Sequence, residues 1–182
     1  MVPDKPALNV LFLCTGNSAR SIMAEALMNH LTLSRGKFRA FSAGSHPRGE
    51  VDPLAIETLA EQNIATEGLR SKSWDEFGRA GSNDMHFVFT VCDQAAAEQC
   101  PTWPGQPMTA HWGVSDPAAV TESTDARRRA FREAAFILRR RIELFASLPL
   151  DKLSQLALQD RLDAIGRHTA SDGAPDGERA RT

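Results

Sequence analysis

Cys14-Thr-Gly-Asn-Ser-Ala-Arg-Ser21 sets a cysteine and an arginine with five residues between them, all of them small. A loop of Thr15, Gly16, Asn17, Ser18 and Ala19 lets successive backbone N–H groups turn toward one point. Such a nest, backed by a helix N-terminus, binds a tetrahedral oxyanion. Arg20 can hold two of the anion's oxygens bidentately. The same positive surroundings lower a thiol's pKa, so Cys14 reads as a thiolate nucleophile. Ser21 is placed to donate a hydrogen bond to its sulfur. The competing reading is a buried structural cysteine with a surface arginine.

Two further cysteines, Cys92 and Cys100, flank Asp-Gln-Ala-Ala-Ala-Glu-Gln. Read locally, Cys92 is a buried residue at a strand end and Cys100 a loop cysteine. Three cysteines cannot form a fully paired disulfide framework. No C-x2-C spacing exists, so no metal site is expected. Asp116-Pro117 is, by itself, a turn signal.

The elements that must position these residues can be read from hydrophobic patterning. Leu8–Leu13 is a continuous apolar run, as a strand buried on both faces requires. Arg20–His30 has helical periodicity. Lys37–Ala43 and His86–Val91 read as strands, and Met108–Trp112 as a short fourth. Asp52-Pro53 is a helix start leading to Asn63. Ser71–Phe77 is a polar stretch with a short helix start, and 93–107 is read as loop. Thr121–Ser147 is a long helix with Phe131, Ala135, Leu138, Ile142 and Phe145 as its buried stripe. Leu150–Ile165 repeats that periodicity, and Gly166 is expected to end it. Residues 167–182 lack periodicity and are expected to be disordered. The expected fold is α/β, an open four-stranded parallel sheet flanked by helices, with an extra C-terminal helix. The expected organisation is one domain over 1–148, an appended helix at 149–166 and the tail. In such sheets ligands bind beyond the C-terminal strand ends, where Cys14, Cys92 and Asp116 all fall.

The 182 residues carry a net charge of −2, which provides no global basic field for nucleic acid. No apolar run approaches the roughly 20 residues that span a bilayer. The first residues lack the layout of a signal peptide, so a cytoplasmic location is expected, with cysteines as free thiols. Arg127-Arg-Arg129 and Arg139-Arg-Arg141, interleaved with Glu133 and Glu143, read as a solvated helix face. His111 reads as structural. Trp103 and Trp112 either shape a pocket rim or pack beneath the loop.

The Cys14–Ser21 segment resembles the phosphate-binding loop of low-molecular-weight protein tyrosine phosphatases and of the arsenate reductases built on that fold. Ser42-Ala-Gly44 and Asp116-Pro117 match further landmarks, and the resemblance runs from about Leu8 to about Leu148. It implies that Cys14 is the nucleophile, that Arg20 holds the oxyanion and that Asp116 is the general acid. An oxygen leaving a tetrahedral centre must take a proton. Cys92, Cys100 and His111-Trp-Gly-x-x-Asp-Pro117 look like the arsenate reductase branch. Ala118-Ala119 stand where phosphatases commonly carry an aromatic pair, and the chain has no tyrosine.

That branch implies arsenate as substrate and a disulfide relay through Cys14, Cys92 and Cys100, with no bound cofactor. An external thiol reductant, thioredoxin or glutathione with glutaredoxin, would regenerate it. The spacing from Cys92 to Cys100 is one residue longer than in the thioredoxin-coupled members, which leaves the donor open. That group can also hold potassium through an Asn, a Glu, a Ser and an Asp. Asn17, Glu25 and Ser42 sit at matching positions, but Trp74 stands for the Asp. A potassium site is therefore not expected, and Asn17 is expected to order the loop by hydrogen bonds. The alternative is a phosphatase using Cys14, Arg20 and Asp116, with Cys92 and Cys100 idle. A third reading is a noncatalytic oxyanion-binding or thiol-sensor protein.

Overall fold

The computed structural model describes residues 5–168. Four parallel strands, β1 (Leu8–Cys14), β2 (Phe38–Gly44), β3 (Phe87–Thr90) and β4 (Met108–His111), form one sheet in the order β2-β1-β3-β4. β1 lies between neighbours on both sides, and Val10, Leu11, Phe12 and Leu13 are each 0% exposed. A strand covered on both faces needs apolar side chains at every position, which is what its sequence supplies. The chain leaves β1 toward β2 on one side and later returns to β3 on the other. That reversal opens a crevice at the C-terminal ends of β1 and β3.

One face of the sheet is covered by α1 (Arg20–Thr32) and α5 (Thr124–Ala146). Phe131, Ala135, Leu138, Ile142 and Phe145 of α5 are all buried, as their spacing requires. The core between them is aromatic, with Trp112 stacked on Phe89 at 3.8 Å between centroids and Phe145 edge-on to both. The opposite face is covered mainly by loop. Leu11, Leu13 and Val88 pack there against Trp103, flanked by Phe41, Trp74 and Phe77. Phe77 belongs to the four-residue α3 (Asp75–Gly78). Trp103 and Trp112 therefore both pack against the sheet, on opposite faces.

α2 (Pro53–Glu61) begins as expected, with the Asp52 carboxylate accepting from the Leu54 amide at 2.9 Å. The 93–107 stretch is not wholly loop, because α4 (Asp93–Ala97) opens it. Cys92 caps that helix, its sulfur accepting from the Ala95 amide at 3.4 Å. The alanine run favours helix once capped. A cysteine is not among the strong N-cap residues, so this start carries no ordinary sequence signal.

The arginine clusters also depart from a purely solvated face. Arg127, Arg128 and Arg132 of α5 pair with Asp52, Glu57 and Glu61 at the edge of α2. Arg141 is buried at 5% exposure and donates to the carbonyls of Trp112, Gly113 and His168. Its burial holds its pKa below the ordinary arginine value.

α6 (Gln155–Arg167) starts at the Ser154 cap and packs Leu158, Leu162 and Ile165 into the core beside β4 and α5. Trp112 Nε1 donates to the Leu162 carbonyl at 3.0 Å. Gly166 lies inside this helix rather than ending it. Its role is close approach: a Cβ there would stand 2.2 Å from the His111 carbonyl oxygen. Of the expected tail, Arg167 is helical, and 169–182 lie outside the described residues. No helix among the described residues is long and apolar enough to cross a membrane.

The Gly166 contact predicts that Gly166→Ala forces α6 off β4 and costs about 1–3 kcal/mol. Urea denaturation followed by tryptophan fluorescence measures it, and unchanged stability would mean that α6 is not held there.

Candidate active site

The crevice at the end of β1 is built by a loop whose carbonyls face outward. The Thr15, Gly16 and Ser18 oxygens accept from the amides of His46, Arg48 and Asp52, each at 2.9 Å. Each such bond commits a carbonyl to the neighbouring segment and leaves the loop's amides to converge on the opposite side. The approach is close. A Cβ on Gly44 would lie 2.4 Å from the Thr15 oxygen, so only glycine fits there. The Ser42-Ala-Gly44 landmark thus has a steric cause.

Asn17 is the pivot of the loop. It is 0% exposed and takes a positive φ of 42°, which asparagine tolerates better than most residues. Its backbone amide points at the Cys14 sulfur at 3.2 Å. Its Nδ2 donates to Ser21 Oγ at 2.8 Å and to Ser42 Oγ at 3.0 Å, and its Oδ1 accepts from the Lys72 amide at 2.8 Å. Ser21 Oγ lies 2.9 Å from the Cys14 sulfur. Hydrogen bonds therefore order the loop through Asn17.

The positions matching a potassium site hold a side-chain cation instead. Lys72 Nζ lies beside Glu25 and Ser42, and Ser42 donates a short hydrogen bond to the Glu25 carboxylate. Trp74 is turned away, edge-on to Trp103 on the other sheet face. Burial lowers the pKa of Lys72, and the Glu25 carboxylate opposes that shift.

Cys14, Arg20 and Asp116 meet at one small pocket of about 30 Å³, also lined by Gly16, Asn17, Ser18, Ala19, Arg48 and Ala118. Arg20 Nη1 donates to the Val114 carbonyl at 3.0 Å, and its Nη2 is 3.6 Å from Asp116 Oδ2. Asp116 caps the turn at Pro117–Ala119, its Oδ1 accepting from the Ala118 amide at 3.0 Å. That bond fixes one carboxylate oxygen and leaves the other at the pocket. A site of this size and polarity suits a small tetrahedral anion with a proton donor beside it.

Cys92 is buried and adjoins the loop. The Thr15 hydroxyl is 3.7 Å from its sulfur and donates to Glu98 Oε1 at 3.2 Å. Cys100 is exposed, with its sulfur 3.8 Å from the Glu98 carbonyl. All three cysteines are free thiols. Partial desolvation and the Glu98 carboxylate raise the pKa of Cys100. His111 is a bridge at the surface, touching Thr90 Oγ1 and Asp93 Oδ1 at 2.7 Å each, so it ties β3 to the first turn of α4. Ala95 is 1% exposed, so α4 is anchored at one of its three alanines.

Sequence reading did not single out Lys72, Arg48 or Glu98. Each is an isolated charged residue in a polar stretch, brought to the site by contacts across the fold. Arg48 lies over Gly16, where a Cβ would meet its Nε at 3.3 Å. Only its nearness to the Asp52-Pro53 helix start could have drawn attention to it.

The fold and this loop define a phosphatase-like class of protein. The family model for low molecular weight phosphotyrosine protein phosphatases matches residues 9–155, and the chain belongs to that family. Within it, an arsenate reductase of Shouchella clausii (strain KSM-K16) is 32% identical over 137 residues, covering 75% of this chain and 94% of that protein. Among solved structures, the thioredoxin-dependent arsenate reductase of Corynebacterium glutamicum superposes with a TM-score of 0.56 at 26% identity, covering 82% of this chain. The match spans 65% of that protein, slightly less than two thirds of its length. The low molecular weight protein tyrosine phosphatase of T. tengcongensis gives a TM-score of 0.61 at 25% identity, covering 78% of this chain and 100% of that one.

Removing the Glu98 charge tests the electrostatics around Cys100. A negative neighbour disfavours the thiolate, so Glu98→Gln should lower the Cys100 pKa and speed its alkylation at neutral pH. Rates from peptide mass mapping check this, and slower alkylation would contradict it.

Proposed function

We propose that this protein is an arsenate reductase that converts arsenate to arsenite with its own thiols. The observation that carries the reading is a second buried thiol, Cys92, within 3.7 Å of the Thr15 hydroxyl of the anion-binding loop. A phosphatase mechanism has no use for it, whereas a two-electron reduction requires it.

The loop amides and Arg20 hold arsenate, and the Cys14 thiolate attacks arsenic. Asp116 protonates the departing oxygen, and the product is a Cys14–As(V) adduct. Cys92, as thiolate, then attacks the Cys14 sulfur. The sulfur–arsenic bond breaks, its electron pair stays on arsenic, and arsenite leaves. Cys14 and Cys92 are now a disulfide, having supplied the two electrons. Cys100 attacks the Cys92 sulfur, frees the Cys14 thiolate and forms a Cys92–Cys100 disulfide. That disulfide is reduced by an external thiol reductant that gives up two electrons, either the thioredoxin dithiol or two glutathione molecules through glutaredoxin, as a reducing cytoplasm supplies. Each exchange needs Cα atoms about 5–6 Å apart, and α4, anchored through Ala95 and Asp93, lies between Cys92 and Cys100 as the segment whose movement would bring them there.

Dependence on Cys92 separates this from simple phosphoryl chemistry, and Asp116 separates both enzymes from a noncatalytic anion binder. Reduced wild-type protein given one equivalent of arsenate should lose two hydrogens by intact mass, mapped to a disulfide that includes Cys92. Cys92→Ser should form no disulfide and stop at an adduct on Cys14, with Cys100 still a free thiol. Unimpaired steady-state arsenate reduction by that variant ends the reading, and phosphoester hydrolysis independent of Cys92 and Cys100 would replace it with the phosphatase. Asp116→Asn should slow formation of the adduct on the order of 10²–10⁴-fold. An unchanged rate would remove Asp116 from the mechanism.

A further inference from the structure

Behind the anion-binding loop lies a buried ion pair that the chemistry above does not use. The Lys72 side chain is 6% exposed, and its Nζ is 3.4 Å from Oε2 of Glu25, whose side chain is 14% exposed. An ammonium has three donors and no acceptor. Here the three meet Glu25 Oε2 at 3.4 Å, Ser42 Oγ at 3.3 Å and the Arg70 carbonyl at 3.1 Å. Withdrawing two charges from water is costly, and a buried pair is weak evidence of a stabilising device. A positioning role explains its place better.

The direction of every hydrogen bond from Lys72 to Cys14 can be worked out. The Lys72 backbone amide can only donate, so the group it meets on Asn17 is Oδ1. Nδ2 therefore faces both serines. Ser42 accepts from Asn17 Nδ2 and Lys72 Nζ, which fills both its lone pairs and sends its own hydrogen to Glu25. Ser21 accepts from Asn17, which leaves its hydrogen for the Cys14 sulfur. A hydroxyl that donates to sulfur favours the thiolate.

We propose that Lys72 is a positioning residue for Cys14. Its amide sets the side-chain amide of Asn17, and its ammonium pairs with Glu25 and holds Ser42 oriented, so that Ser21 is a committed donor to sulfur. This rests on Cys14 as the nucleophile of the proposed function. Without the ammonium, the Glu25 carboxylate would stay half-enclosed behind the loop without its ion-pair partner. Loss of the ammonium also empties one Ser42 lone pair, so the Ser42 hydroxyl is free to rotate and no longer offers Asn17 a fixed acceptor. Asn17 then loosens, and with it the hydrogen bond to sulfur.

The charged groups facing Cys14 in the pocket are Arg20, Arg48 and Asp116, and those acting on Lys72 are Glu25, Arg70 and Glu76. None of them is altered by the variants that test the proposal. Reduced full-length protein is alkylated with iodoacetamide across a pH series, and the Cys14 peptide is quantified by mass spectrometry. Lys72→Met should move the Cys14 profile about one pH unit upward, an approximately tenfold slower alkylation at neutral pH. Ser42→Ala keeps the Lys72–Glu25 pair but cuts it off from Asn17, and should shift the profile the same way. Circular dichroism and melting establish that each variant is folded, and Ser42→Ala decides the matter if Lys72→Met is not. A wild-type profile in either folded variant overturns the proposal. Alkylation needs no arsenate, so failure of the arsenate reading would leave this measurement standing.

Discussion

The site depends on one backbone constraint. Between Cys14 and Arg20 the peptide groups must present amides inward, so their oxygens need partners outward. The segment from His46 to Asp52 supplies those partners, and its own course is set by β2 and the start of α2. Gly44 permits the approach, and Asn17 makes the tight turn with its side chain spent on holding neighbours. An anion-binding loop of this kind is thus less a sequence of seven residues than a seam between three elements. Distortion of any of them reaches the sulfur.

The second thiol belongs to the same seam. Cys92 lies two residues past the end of β3, which is next to β1 in the sheet, and serves as the cap of α4. Its sulfur is thus held in place by a helix amide while remaining near the Thr15 hydroxyl. At Cys100, partial desolvation and the nearby Glu98 carboxylate favour the thiol form. Cys92 and Cys100 sit in unlike environments, one internal and one at the surface.

Much of this was legible in the sequence, for physical reasons. β1 is read correctly because burial on both faces demands an unbroken apolar run, and α5 because its stripe recurs every three or four residues. Cys14, Arg20 and Asp116 are brought together because each follows or approaches a strand end of one parallel sheet. What escaped has no periodicity to expose it. Lys72 reaches Glu25 across 47 positions, and Glu98 reaches Thr15 across 83. α4 is capped by a residue that rarely caps. Arg141 follows two arginines that face outward to some degree, yet it is buried beneath carbonyls of the loop after β4. Gly166 resembled a stop because glycine usually is one; here its missing side chain admits a strand.

The seating of α6 beside β4 has a consequence for self-association. β4 is an outer strand of the sheet, and outer strands offer unpaired peptide groups to any extended chain. Gln159 of α6 donates to the Thr109 carbonyl at 2.8 Å, and the helix lies along this border. An incoming peptide cannot add itself to the sheet there by strand augmentation without displacing a helix whose leucines are in the core. A chain ending near residue 150 would bare that border to its own copies, so the added helix acts as a guard against edge-to-edge aggregation.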